Sequence, residues 1–217
     1  MSKGSRIVVE MFKLNEANRI LRHYYQYHLL EKLDFKDIIE VGIRYDILTH
    51  ILRRSGFKTT TVDIDAESEP DVVADIREPL NVSADLVLCF ETLEHLPYSD
   101  FQKCLHNLRK AARKYVIISI PDVTPSLVVW LDIPMVSAVL AHYFKIKTGF
   151  MVQSGLFGLL SRKFGFDGSH YWEAGKRGYP QKRIRRDIED TGMRIIKDYR
   201  SFFLPYHHYY VMRASND

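Results

Sequence analysis

The sequence predicts an α/β protein: a doubly wound, Rossmann-like, mostly parallel sheet with helices on both faces, ending in an antiparallel hairpin. Three observations predict it. Strand-length and helix-length segments alternate over residues 37–121. The strand segments are continuous Val/Ile/Leu runs, the mark of strands covered on both faces. Two strand-like runs, 193–203 and 207–213, flank a Leu-Pro-Tyr turn near the end of the chain.

The elements follow in order. Residues 15–33 read as a helix, with Asn15 as a cap and Ile20, Leu21, Tyr24, Tyr27, His28 and Leu30 at helical spacing. The run 37–42 is a buried strand ending at Gly42. Residues 46–56 form a helix with Ile47, Leu48, Ile51 and Leu52 on one face and Gly56 as its stop. The β-branched run 59–64 and the apolar runs 71–76 and 84–90 are strands. Residues 99–114 are a helix opened by a Ser99/Gln102 capping box, and 115–121 is the next strand. After an apolar, aromatic stretch punctuated by glycine, 179–192 is a helix with Pro180 in its first turn and Gly192 at its end.

At 217 residues the chain suffices for one domain with a sizeable core, and 46% hydrophobic and 12% aromatic residues place it among folded globular proteins. A formal charge of +4 is compatible with acidic partners and demands none. Two cysteines, Cys89 and Cys104, in apolar segments indicate a reducing compartment rather than a disulfide scaffold. The first 13 residues have no apolar core of signal-peptide length. The longest apolar stretch, 126–144, is broken by Asp132 and Pro134, so it is not expected to span a membrane, although it can lie on one. The expectation is a cytoplasmic protein, with this stretch as a peripheral membrane contact.

In a doubly wound sheet the ligand sits at the carboxyl ends of the strands. Here those ends offer Gly42, Asp63, Asp75 and the Phe90-Glu91 pair. A glycine lets backbone approach a ligand, and an acid about 20 residues on is where a ribose diol is held. Plainer roles exist for each: a turn glycine, turn or helix caps for the two Asp, and first-turn acids for Glu91 and Glu94.

These segments, "IIEVGIRYD", "GFKTTTVDID", "DVVADI", "ADLVLCFETLEHLP" and "KYVIISIP", resemble the class I S-adenosylmethionine-dependent methyltransferases over residues 37–121. The closing hairpin is similar to that family's last two strands, and Glu94-His95-Leu96 resembles the E-H-L of its small-molecule branch. The resemblance implies S-adenosylmethionine as cofactor. It puts Glu40 and Gly42 in the cofactor turn, Asp63 on the ribose, Ile64 on the adenine, Asp75 and Ile76 at the adenine edge, and Phe90 and Glu91 toward the methionine part. The family turn usually reads G-x-G-x-G; here Arg44 and Asp46 stand at two glycine positions. They can hold the carboxylate and amine of the methionine zwitterion, point to solvent or pair with each other, or close a turn that has lost the cofactor.

Methyl transfer from a sulfonium works largely by positioning the acceptor, with a base when the acceptor is a hydroxyl. Candidate catalytic residues are His95, His170 and Glu173, with Glu91 beside them. The stretch 168–180 also carries Tyr171 and Trp172, placed to stack on a sugar or ring, or else to anchor the loop in the core. His207 and His208 are adjacent on a strand and face opposite ways, so they cannot share one metal, and no metal is expected. The basic run Lys176, Arg177, Lys182, Arg183, Arg185 and Arg186 reads as a solvated helix face; nucleic acid is not the expected partner.

The sequence thus predicts an N-terminal helical segment (1–36) and a class I methyltransferase-like domain (37–217) with an apolar lid insert (122–169). Its expected activity is methyl transfer, at oxygen, to a small, glycan- or lipid-linked acceptor. The alternatives are a catalytically silent methyltransferase-like binding protein and an RNA methyltransferase.

Overall fold

The computed structural model describes residues 18–43, 47–124, 127–128, 153–154, 170–201 and 204–214. Helix α1 covers 18–28 among these. Strand β1 (Asp37–Val41) leads to α2 (Ile47–Arg54), β2 (Lys58–Asp63), β3 (Val72–Val73) and β4 (Ala84–Phe90). Then come α3 (Phe101–Ala111), β5 (Ala112–Pro121), the short strands β6 (Leu127–Val128) and β7 (Gln153–Ser154), α4 (Gln181–Glu189), β8 (Arg194–Arg200) and β9 (His207–Arg213).

Seven strands form one sheet in the order β3-β2-β1-β4-β5-β9-β8. The first five are parallel, and β9 runs antiparallel between β5 and β8. The order reverses at β1 and β4, which opens a crevice at their carboxyl ends. β6 and β7 pair separately.

The expected continuous apolar runs divide between two cores, because neighbouring residues of a strand face opposite ways. Ile39, Val41, Val87, Cys89, Val116 and Ile118 pack with α3 and α4 on one face. Ile38, Leu86, Leu88, Phe90 and Ile117 pack with Tyr25 of α1, Leu29 just after it, and Leu48 and Leu52 of α2 on the other. The N-terminal helix is therefore part of the core.

Several boundaries differ from the sequence expectation. The Ser99/Gln102 capping box does not form. Pro97 opens a 3₁₀ turn over Tyr98–Asp100, and α3 starts only at Phe101. Residues 112–114 leave the helix for β5, where Ala112 pairs with Ala84. There Arg113 is bonded to Asp37 and Asp85. The strand expected over 71–76 is reduced to two residues. Asp75 turns the chain by accepting from the Arg77 N–H (2.9 Å), and its carbonyl accepts from Glu78. The Asn15 cap and most of the 122–169 insert, including nearly all of the apolar stretch 126–144, lie outside the described residues.

Candidate active site

Two contiguous cavities of about 330 and 300 Å³ open at the carboxyl ends of the parallel strands. Gly42, Glu91 and His95 line both and form the waist between them.

Gly42 is fixed by geometry twice. Its φ is 81°, and a Cβ there would sit 2.1 Å from Thr92 Oγ1. The turn that follows is closed by Asp63. Its Oδ2 accepts from the Ile43 N–H (2.8 Å) and its Oδ1 from the Asp65 N–H (2.9 Å). Arg44 and Asp46 lie outside the described residues.

The first cavity is lined by Val41, Asp63, Ile64, Ala74, Asp75, Ile76 and Leu96. Ile64 is 61% exposed, an apolar side chain lying open along the cavity, and Ile76 is buried beneath it. Asp75 is less available than the sequence suggested. Arg77 grips its carboxylate with Nε and Nη2, and that pairing, against the opposing effect of burial, holds the carboxyl below its ordinary range.

The second cavity is lined by Arg22, His23 and Gln26 of α1, by Glu40 and Phe90, and by Glu94, Pro121, His170 and Tyr206. Glu40 is buried and accepts from Thr49 Oγ1 at 2.5 Å. Glu91 has φ 50°, a left-handed conformation rare outside glycine. Arg22 donates to its Oε2 (2.6 Å) and His207 Nδ1 lies 2.5 Å from its Oε1. Burial pushes this carboxyl up, but His207 and Arg22 more than offset it and hold it below the ordinary carboxylate range.

Glu94 is the opposite case. It is fully buried at 0% exposure, and among the described residues neither carboxylate oxygen has a hydrogen-bond partner. Burial, with the charges of Glu91 and Glu173 nearby, raises its pKa well above the ordinary value. Beside it the His95 and His170 rings meet edge-on at 4.9 Å.

His170 is placed by the loop that carries it. The Tyr171 N–H donates to the Glu94 carbonyl (2.8 Å), and Trp172 Nε1 donates to the Leu96 carbonyl (3.1 Å). Trp172 is wholly buried against Tyr98 and Phe101. It therefore cannot stack on an acceptor: it anchors the loop in the core, while Tyr171 is exposed. Glu173 is also behind the cavity rather than in it. It accepts from Tyr206 Oη (2.9 Å), meets Lys176 Nζ at 3.2 Å and bonds His170 Nδ1 at 2.7 Å. Burial alone would raise its pKa, and these partners bring it below the ordinary value.

The hairpin locks onto the same end of the sheet. His207 and His208 face opposite ways as expected: His207 meets Glu91, and His208 bonds Asp122 (3.0 Å) and Asp198 (2.5 Å). The basic run is largely at the surface, as expected, with several of its members paired. Lys176 is buried against Glu173, Arg183 lies 4.4 Å from the Tyr98 ring, Arg185 pairs with Asp198, and Arg186 pairs with Asp187.

Sequence reasoning brought Glu40, Gly42, Asp63, Ile64, Asp75, Ile76, Phe90, Glu91, His95 and His170 to one crevice. It missed Arg22, His23, Gln26, Tyr206 and His207. One signal was present: Arg22 and Gln26 share a helical stripe, interrupting the apolar spacing of α1. The hairpin residues carried no such signal, because their arrival depends on β9 pairing with β5.

Comparison with known proteins gives the family. No curated protein sequence matches the chain. The family model of the methyltransferase domain matches residues 14–166, more than half of the chain. Among solved structures, an S-adenosylmethionine-dependent methyltransferase from Clostridium acetobutylicum ATCC 824 superposes with a TM-score of 0.59 at 12% identity, covering 99% of this chain and 100% of that one. Magnesium protoporphyrin IX methyltransferase from Synechocystis PCC 6803, with bound SAH, gives 0.56 at 17% identity over 89% and 82%. The N-methyltransferase NodS from Bradyrhizobium japonicum WM9 gives 0.54 at 10% identity over 91% and 97%. At these identities the structural likenesses carry the fold, and the family model carries the membership. The chain belongs to the methyltransferase-domain family, with the fold of the S-adenosylmethionine-dependent methyltransferases.

Proposed function

We propose that the protein methylates a small acceptor at oxygen, with S-adenosylmethionine lying across Gly42 and the acceptor in the cavity of His95 and His170. The observation that carries this is the pair of cavities joined at Gly42, Glu91 and His95.

The residues fit the cofactor. At Gly42 the cradle has room only because there is no Cβ. Asp63 supplies the ribose site, with its oxygens already oriented by two backbone N–H groups. Ile64 and Ile76 flank the adenine and Asp75 stands at its edge. Phe90, Glu40 and the Arg22–Glu91 pair face the methionine part. Arg44 and Asp46 are proposed as further contacts to its charged ends. Bound there, S-adenosylmethionine supplies an already activated methyl group.

On the acceptor side the protein positions a hydroxyl and takes its proton. His95 lines both cavities and is the proposed base. His170 sits against it, and Glu173 holds the His170 ring, so Glu173 is a positioning residue. The polar lining from Glu94, His95, His170 and Tyr206 suits a hydroxyl-bearing acceptor. The lid role of 122–169, and with it a glycan- or lipid-linked acceptor and a membrane posture, is proposed from the apolar sequence alone. Among the described residues no helix is long and apolar enough to cross a membrane.

Calorimetric titration with S-adenosylmethionine and S-adenosylhomocysteine tests the reading. Asp63→Asn keeps an acceptor for one backbone N–H and removes the charge. Two charge-assisted bonds to a ribose diol, at about 1.5–3 kcal/mol each, imply affinity reduced by at least ~10-fold. No heat from folded wild-type protein with either ligand would overturn the assignment.

A further inference from the structure

We propose that Glu94, His95 and His170 form a binding site for one divalent transition-metal ion on the acceptor side of the crevice. One ligand atom from each of the three residues lies within 4.8 Å of the other two. That spacing suits three donors around a common ion, for which metal–donor distances are about 2.0–2.2 Å.

Three independent features support it. The Glu94 carboxylate is wholly buried, and among the described residues neither oxygen has a hydrogen-bond partner. A buried carboxyl in that position is costly unless it holds a proton or meets a cation. His170 is held as metal-bound histidines are, with its Nδ1 2.7 Å from the Glu173 carboxylate. The ligands are also rigidly tied, since the Tyr171 N–H bonds the carbonyl of Glu94 itself and Trp172 anchors the loop under Leu96.

One carboxylate and two imidazoles suit Mn²⁺, Fe²⁺, Co²⁺ or Zn²⁺ better than Ca²⁺ or Mg²⁺, which favour oxygen. Three protein ligands leave positions open for an acceptor oxygen, and with the ion bound His95 would serve as its ligand while the ion, in place of a free His95 ring, would activate the acceptor hydroxyl. No metal-ligand spacing marks these residues, because His170 is distant along the chain from the Glu94-His95 pair. The role of the ion rests on the reading of this cavity as the acceptor side; its binding does not.

Metal-stripped protein is titrated with Co²⁺, followed by its visible absorbance, and with Zn²⁺ by calorimetry, both without S-adenosylmethionine. The wild type and the exposed-site control His106→Ala should each bind one equivalent. Glu94→Gln and His170→Ala, shown folded by circular dichroism, should each bind at least ~100-fold more weakly. If Glu94→Gln fails to fold, His95→Ala takes its place. No cobalt absorbance with folded wild type, or full affinity in either ligand variant, overturns the proposal. Because the metal and cofactor titrations are separate, failure of one is read independently of the other.

Discussion

Gly42→Ala is the sharpest perturbation of the cofactor turn, because two distinct costs act at one atom. The first is conformational: an alanine at φ 81° is in the left-handed region, at about 1–2 kcal/mol. The second is steric. The new Cβ would lie 2.1 Å from Thr92 Oγ1 and 3.1 Å from Thr92 Cβ. Thr92 is not a loose surface group, since its hydroxyl donates to the Phe90 carbonyl at 3.0 Å. Displacing it is an overpacking change, at about 1–3 kcal/mol. The sum is about 2–5 kcal/mol, and at 2–4 °C per kcal/mol for a chain of this size it lowers Tm by roughly 4–20 °C. A double-mutant cycle with Thr92→Ala separates the two costs. Thr92→Ala removes the 2.1 Å clash with the hydroxyl and leaves only the milder 3.1 Å contact with the remaining Cβ, so the Gly42→Ala penalty should fall toward the conformational part of about 1–2 kcal/mol. Urea unfolding of the four proteins measures this. If the penalty is equal in both backgrounds within about 0.5 kcal/mol, the close approach to Thr92 is not why glycine stands there.

Two further substitutions test the frame behind the site. Trp172→Ala removes a wholly buried indole from between Tyr98 and Phe101, and should cost about 3–5 kcal/mol in urea unfolding; a cost under about 1 kcal/mol would mean that the loop is not anchored there. Asp122→Asn tests the hairpin lock. Burial pushes the Asp122 carboxyl up, but His208, Thr124 and Arg200 outweigh it and bring it below the ordinary value. A depressed folded pKa gives stability that is complete above the unfolded value of about 3.9 and is lost as pH falls through the folded one. Asp122→Asn should therefore be the less stable protein near neutrality, with the gap in urea midpoint narrowing below about pH 4. A constant gap across that range would show that the ionised form is not what the network holds.

Much of this architecture was legible because its signals are local. The runs at 84–90 and 207–213 became β4 and β9 with those bounds, since an apolar run of strand length between turn signals has few other uses. Strand ends were legible for the same reason, and so Gly42, Asp63 and Glu91 fell correctly at the crevice. What failed was competition between equally local signals. Ser99 and Gln102 have capping-box spacing, but Pro97 two residues earlier starts a 3₁₀ turn and the helix begins later. Trp172 has the composition of a stacking platform, and only the packing of α3 shows that it is core. Arg22, Tyr206 and His207 were not legible at all, because each reaches the site through contacts distant along the chain: α1 lying over β4, and β9 inserted beside β5.

The glycine-poor turn, read together with its surroundings, is consistent with a working cofactor site. Repeated glycines in such a turn let successive amides face a phosphate. A cofactor without phosphate needs no such nest; it needs one close approach and one fixed acid. Both are present. The close approach is Gly42, where the space for any side chain is taken by Thr92. The acid is Asp63, and the turn itself fixes it, because the N–H groups of Ile43 and Asp65 hold its two oxygens. Asp63 thus closes the turn from outside, a task that further glycines would perform from within. Stability alone would keep Gly42 in either case, so it is Asp63, through affinity, that separates a working turn from a remnant. That is why Gly42→Ala and Asp63→Asn should fail differently: the first through Thr92 and stability, the second through affinity for the nucleoside.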